Sequence, residues 1–274
     1  MTSYAPAAPR GVSRSPRGAA VFLGQVAAVA DAEIRKLRHD PLELVMRAVQ
    51  PTLWLVVFGQ VMSRLRGVPT GHLRYLDFMA PGILAQSVLF IAIFYGVSAI
   101  RERDLGVLNK YLVSPISRTA LVLGKALSAG ARALSQAVVV YGLALLLGIR
   151  AVWHPWNVAG VLVLILMGSA VFSTLSLAIA CLVKTHERVM GMGQVMTMPL
   201  FFASNAIYPV VLMPAWLRAI ASLNPLTYEV DALRALMVQG GTSTIGLGVD
   251  FAVLLGFVTA LVTIVTRLYP RLVV

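Results

Sequence analysis

Long uncharged apolar runs dominate the chain, separated by short segments where arginine, lysine and proline collect. A helix needs about 20 mostly apolar residues to cross a bilayer, because backbone groups in hydrocarbon must be satisfied internally. Residues 78–100 and 158–183 reach this length without a charge. Residues 120–149 also qualify, and Lys125 and Arg132 in their first half are expected to snorkel or face protein. The uncharged run 189–217 is interrupted by Pro199, Pro209 and Pro214, so it predicts a crossing over 189–206 followed by an irregular re-entrant part. Segments 43–62, with Arg47 and Pro51, and 246–266, with Asp250, bring the predicted crossings to six.

Ahead of them, residues 1–20 are rich in Ala, Pro, Ser and Arg and predict a disordered basic tail, with no signal-peptide pattern. Residues 21–41 predict an amphipathic interfacial helix. Leu23, Ala27, Ala30, Ile34 and Leu37 share one face, and Asp31, Arg35 and Arg38 another. Such a helix either lies on the membrane surface or packs on other protein. Residues 42–274 form the six-helix transmembrane domain of an all-α membrane protein.

Composition agrees with this division. Of the residues, 58% are hydrophobic and 12% charged, against about 25% charged in a soluble domain. The net charge of +12 is scattered between apolar runs, which favours anionic lipid headgroups over nucleic acid as the partner surface. Placing both termini in the cytoplasm gathers Arg10, Arg14, Arg17, Arg35, Lys36, Arg38, Arg47, Arg101, Arg103, Lys110, Arg118, Lys184, Arg188, Arg267 and Arg271 on that side. The positive-inside rule therefore predicts a multi-pass protein of the inner or plasma membrane with both ends cytoplasmic. The single cysteine, Cys181, excludes an internal disulfide.

The charged stretch RERDLGVLNKYLVSPISR, residues 101–118, puts Leu105, Leu108 and Leu112 on one side of a short helix ended by Ser114-Pro115. Ser117 is placed to cap the next helix. The leucine face must bury against this protein's own helix ends or against a cytosolic partner. Farther on, Trp216, Ala219, Ile220 and Leu223 mark one short apolar helix face, broken by Asn224-Pro225. Leu226, Val230, Leu233 and Met237 mark another, with Asp231 and Arg234 spaced to pair. In the fourth span Ala170, Thr174 and Ala178 form a small-residue strip beside Ser169 and Ser173, suited to a subunit interface or to packing within one subunit.

RERDLGVLNKYLVSPISRTALVLGKAL resembles the first cytoplasmic loop of ABC-2 type transporter permeases, particularly daunorubicin-type drug exporters. NAIYPVVLMPAWLRAIASLNPLTYEVDALRAL, residues 205–236, is similar to their last extracellular segment. The resemblance implies a coupling helix docked on an ATPase, carried here by Arg101, Glu102, Gly106, Leu108, Leu112, Ser114 and Pro115. Asn109 departs from the family, where an acidic residue is frequent. It also implies outer re-entrant helices, with Asn205, Tyr208, Pro209, Pro214, Trp216, Asn224 and Pro225 in that segment, which either cap a translocation path or seal helix ends. Two ATPase copies holding ATP and Mg, a second permease subunit in a homodimer or in a pair with a homologous chain, and a hydrophobic drug or lipid cargo follow from the same resemblance. Permeases for lipid-linked polysaccharide are the close alternative.

The energy source follows from what the spans lack. Residues 78–100, 133–149, 158–183 and 251–266 contain no Asp, Glu, His, Lys or Arg. Ion-coupled carriers usually bind their ion at such a group in mid-membrane, so a secondary carrier is the weaker alternative. Gly124-Lys125 is followed by Ala126 and preceded at the leading glycine position by Thr119, which is no phosphate loop. His186-Glu187 does not complete HExxH, and GMGQVM from Gly191 ends in Met196 where a glycine is needed. No catalytic residue, cofactor or metal is therefore expected in this chain.

Overall fold

The computed structural model describes residues 24, 48–64, 70–104, 118–183 and 185–268; the side chains of 95–104, 118, 120 and 186 are not part of that description. The tail, most of the predicted interfacial helix and residues 105–117 lie outside it. The described residues are helical, with one isolated antiparallel bridge, Ala151 to Val238, and no longer strand pairing. The elements are α1 (Ala48–Ser63), α2 (Tyr75–Asp104), α3 (Arg118–Leu146), α4 (Pro155–Leu182), α5 (His186–Phe202), α6 (Ala215–Leu223), α7 (Pro225–Met237) and α8 (Leu247–Leu268).

Four segments are long and apolar enough to cross a membrane: Tyr75–Phe94, Leu121–Leu146, Pro155–Leu182 and Leu247–Leu268. The other two predicted crossings correspond to shorter helices. In α1 the stretch Leu53–Gly59 has π geometry. α5 ends at Phe202 rather than Ala206, after an internal Pro199, and turns occupy the residues that follow.

α4 is the hub, with α2, α3, α7 and α8 packed around it. It begins well: Pro155 occupies the first turn, where its missing N–H costs nothing and its fixed φ suits a helix. It ends where Val183 turns extended. Ile165, Phe172 and Val171 from α4 join Leu84, Leu89 and Ile93 from α2 in a fully buried core. Ser173 and Thr174 are buried within this subunit, so that part of the small-residue strip serves internal packing. Lys125 is also buried, which takes it off the lipid-facing surface. α8 shows the opposite balance, with Leu254 and Val265 turned inward and most of its apolar face outward.

α2 carries Pro81 and Gly82 in its interior, both helix-weakening residues. Gly82 has a packing reason. A Cβ there would lie 2.7 Å from Ala206 Cα and 2.8 Å from its carbonyl carbon, so the helix touches the backbone of the turn after α5. Because backbone cannot swing aside as a side chain can, Gly82→Ala is expected to destabilise the protein by about 1–3 kcal/mol. A thermal melt in detergent checks this, and an unchanged midpoint would mean that α2 and the 203–206 turn are not held together there.

Candidate translocation site

One end of the bundle, where α2 and α4 begin, is closed by a built polar network. Arg74 chelates Asp77 through Nε and Nη2 at 2.9 and 3.0 Å. The Arg74 guanidinium also donates to the Gly148 carbonyl, and Asp77 Oδ1 accepts the Arg150 backbone N–H at 3.2 Å. The α3–α4 connection is thereby fixed to the first turn of α2. Beside it, Val152 N donates to the Met237 carbonyl at 2.8 Å and Gln239 N to the Arg150 carbonyl at 2.8 Å, tying in the end of α7.

The segment singled out as re-entrant is assembled by side chains acting on backbone. Asn205 is buried, and its Nδ2 donates to Asp231 Oδ1 at 3.3 Å. The Tyr208 hydroxyl donates to the Phe202 carbonyl. Pro209 precedes the 3₁₀ turn Val210–Leu212, and Pro214 holds the N-cap of α6 in extended geometry. Asn224 does most at the break between α6 and α7. Its Oδ1 caps α7 by accepting from Leu226 N at 3.0 Å, and its Nδ2 donates to the Leu200 and Ala203 carbonyls at 2.7 and 2.9 Å. Pro225 then opens α7 in the position that suits proline.

The two short helices differ in burial. Leu226, Val230, Leu233 and Met237 of α7 are all fully buried, as their spacing predicts. The α6 face does not pack on the described residues: Trp216 is 66% exposed, Ile220 49% and Leu223 77%.

On the other side of α7, Asp231 and Arg234 face each other at 3.9 Å and are both buried. Asp231 is the acceptor for a loop. Thr244 N, Ile245 N and the Thr244 hydroxyl donate to it at 2.7, 3.1 and 2.9 Å. The Ser243 oxygen lies 2.9 Å from Asp231 and 2.8 Å from Asp250, and its single proton serves one of them at a time. Arg234 lies over the Phe78 ring, 3.8 Å from its centroid, and donates to the Asn205 carbonyl at 2.7 Å. Burial brings the Arg234 guanidinium down to about 10, against the opposing pull of Asp231. It stays charged.

From the sequence Glu229 is one of several scattered acids, with Asp77, Glu102 and Glu187, that form no cluster and take no role. It lies on the apolar face of α7 between Leu226 and Leu233, is 0% exposed, and neither carboxyl oxygen has a hydrogen-bond partner. Its carboxyl fills the space over Gly168, where a Cβ would overlap it. Gly168 is the fourteenth residue of the 28-residue α4, so this acid reaches the middle of the bundle's central helix. Counting charges within each apolar run cannot find a group that enters from a neighbouring helix. The available signal was a glutamate three residues after Leu226 on an otherwise apolar stripe.

Of the residues assigned to the coupling helix, Arg101 and Glu102 belong to the last turn of α2, while Gly106, Leu108, Leu112, Ser114 and Pro115 lie outside the described residues. No group of three or more His, Cys, Asp or Glu suited to a metal occurs among the described residues.

Residues 24–238 match the family model of the ABC-2 type transporter. The chain is 30% identical over 203 residues to a putative transport permease, ycf38, of Cyanophora paradoxa, covering 73% of this chain and 70% of that protein. It is 29% identical over 233 residues to the daunorubicin resistance ABC transporter permease protein DrrB1 of Streptomyces coeruleorubidus, covering 85% and 81%. To the probable doxorubicin resistance ABC transporter permease protein DrrC of Mycobacterium tuberculosis it is 25% identical over 240 residues, covering 85% and 84%.

Proposed function

This chain belongs to the ABC-2 type transporter family, and on that premise we propose that it is the permease subunit of an ATP-driven exporter of hydrophobic or amphipathic drugs or lipids. A separate ATPase, present in two copies, binds ATP and Mg, and two permease subunits form the membrane-spanning dimer. α1 and α5 complete six crossings with the four long apolar helices, and both termini are cytoplasmic. The network of Asp77, Asn205, Asp231 and Arg234 then stands at the outer end, and residues 101–115 receive the ATPase from inside.

The observation that carries this reading is the construction of α6 and α7. The α6–α7 pair, which enters and leaves by the same end, capped by Asn224 and anchored by Asp231, closes the bundle of four long apolar helices on one side. α7 adds Leu226, Val230, Leu233 and Met237 to the same apolar core as α2 and α4, while its ends are held by hydrogen bonds to loops, so the loop contacts can exchange while the core packing persists. The relatives named for daunorubicin and doxorubicin resistance support an amphipathic cargo.

Proteoliposomes holding the permease with its ATPase test the proposal. ATP is expected to drive a lipophilic fluorophore across the membrane, and omission of either chain or of ATP should stop it. Transport by the permease alone, or transport sustained by an ion gradient without ATP, would rule the proposal out.

A further inference from the structure

Ser243 stands between two buried carboxyls and has one proton for both. Its oxygen lies 2.9 Å from Asp231 Oδ2 and 2.8 Å from Asp250 Oδ2, and it also accepts the Gly246 N–H at 2.6 Å. A hydroxyl offers one donor and two lone pairs. With Gly246 on one lone pair, the oxygen donates to one carboxyl and has a single acceptor position left. The contact to the second carboxyl therefore contains a hydrogen only if that carboxyl brings it.

The two acids are not equivalent. Asp231 receives Thr244 N, Ile245 N, the Thr244 hydroxyl and Asn205 Nδ2, and Arg234 stands 3.9 Å away. All of these are donors, which fixes Asp231 as the carboxylate. Asp250 is 0% exposed, its Oδ2 meets Ser243, and its Oδ1 has no partner. A place in the first turn of α8 favours an anion only weakly. Against it stand burial without a counter-charge and the negative Asp231. Both carboxyls touch the same oxygen, which puts them within the range of about 4–6 Å over which like charges oppose ionisation.

We propose that Asp250 is a carboxylic acid while the loop 243–246 is closed, and that its proton is the latch that joins this loop to α7 and α8. Asp250 Oδ2–H donates to Ser243 Oγ, and the Ser243 proton goes to Asp231 Oδ2. When Asp250 gives up its proton to the solution, one of the two contacts to Ser243 is left as facing lone pairs with no hydrogen between them. The loop then loses its hold on one acid, and the connection between α7 and α8 is free to move. Low pH closes the latch and high pH opens it. α8 packs against α4, α7 and α3, whose other ionisable groups are bonded or placed elsewhere. On α7, Arg234 reaches Asn205 and Phe78 besides Asp231, Glu229 sits over Gly168, and Tyr228 donates to the Ser222 carbonyl. On α3, Tyr141 packs edge-on against Trp153, and Lys125 and Arg132 belong to the opposite half. α4 carries only Cys181, in its last turn, and Arg267 is at the far end of α8. The latch is independent of the cargo and of the energy source.

A proton that the folded chain keeps and the unfolded chain has lost stabilises the protein at low pH. That contribution declines as pH rises from the usual carboxylate range, until the folded acid also ionises. Thermal melts of the full chain in detergent at about pH 5 and about pH 8.5 measure it. Asp250→Asn supplies an amide donor to Ser243 that cannot ionise. Between the two pH values the variant's midpoint is expected to gain about 3 °C or more on the wild type's, the equivalent of one pH unit of titration in a chain of this size. A gap between the two proteins that does not change with pH would overturn the proposal. The wild type gives a second reading that needs no variant. Hydrogen exchange at Thr244, Ile245 and Gly246 should accelerate more between these pH values than across residues 147–151, whose amides are bonded at the same end of the bundle to Asp77 and to their own turn. Equal acceleration in the two segments would overturn the latch as well.

Discussion

Replacing Leu108 and Leu112 together by Asp is expected to leave the permease inserted in the membrane but abolish its co-purification with the ATPase. The effect is large for two reasons that add. Each leucine taken from a docking face forfeits about 1.5–3 kcal/mol of apolar burial. Each new carboxylate also faces an apolar surface without a counter-charge, at a cost of several kcal/mol more. A loss above about 4 kcal/mol weakens binding roughly a thousandfold, enough to empty a pull-down. Insertion should be untouched, because the substituted residues precede the α3 span rather than lie in it. Arg118→Ala provides the contrast: at the start of α3, where water and headgroups compensate, it should leave the complex intact. Unchanged yield from the double variant would remove residues 101–115 from the docking role.

Asp231→Ala is expected to have the largest effect on stability. It removes the acceptor for Thr244 N, Ile245 N and the Thr244 hydroxyl, and strands the buried Arg234 guanidinium without its counter-ion. Breaking a buried pair by removing one partner costs about 3–5 kcal/mol. In a protein of this size that corresponds to a fall in melting temperature on the order of 10 °C. The loop 243–246 would lose its anchor at the same time, freeing the connection between α7 and α8. Thermal unfolding in detergent, followed by size-exclusion chromatography, measures it. A shift under about 2 °C, less than 1 kcal/mol on the same scale, would show that the loop and the Arg234 bonds to Asn205 and Phe78 stand without the carboxylate.

Much of the fold follows from rules that act within a few residues. The four long apolar helices, the break at Asn224-Pro225, the apolar face of α7 and the Asp231–Arg234 pair are all legible along the chain. Hydrocarbon demands length and apolarity, proline removes an N–H, and residues three or four apart share a face. The segment holding residues 205, 208, 209, 214, 216, 224 and 225 was marked out by its prolines and by its resemblance to the family's last extracellular segment, although nothing local showed that Asn224 would reach back to Leu200 and Ala203. The remainder depends on contacts between distant positions. Ala206 and Gly82 are 124 residues apart in the sequence, and only their packing makes the glycine necessary. Asp231 reads as half of a helical ion pair until the loop after α7 folds onto it.

An apolar helical membrane protein with punctuated ends and an amphipathic α6 is readable from local pattern alone, because each of those properties is set locally by desolvation and backbone hydrogen bonding. Packing between distant segments was needed to leave the α6 face uncovered by the described residues while α7 is engulfed, and to bring Glu229, in a segment read as peripheral, to rest halfway along α4. Depth belongs to the assembly of helices rather than to any one of them: a carboxyl's surroundings are set by which backbone its neighbours bring against it, here a glycine from a helix 61 residues earlier.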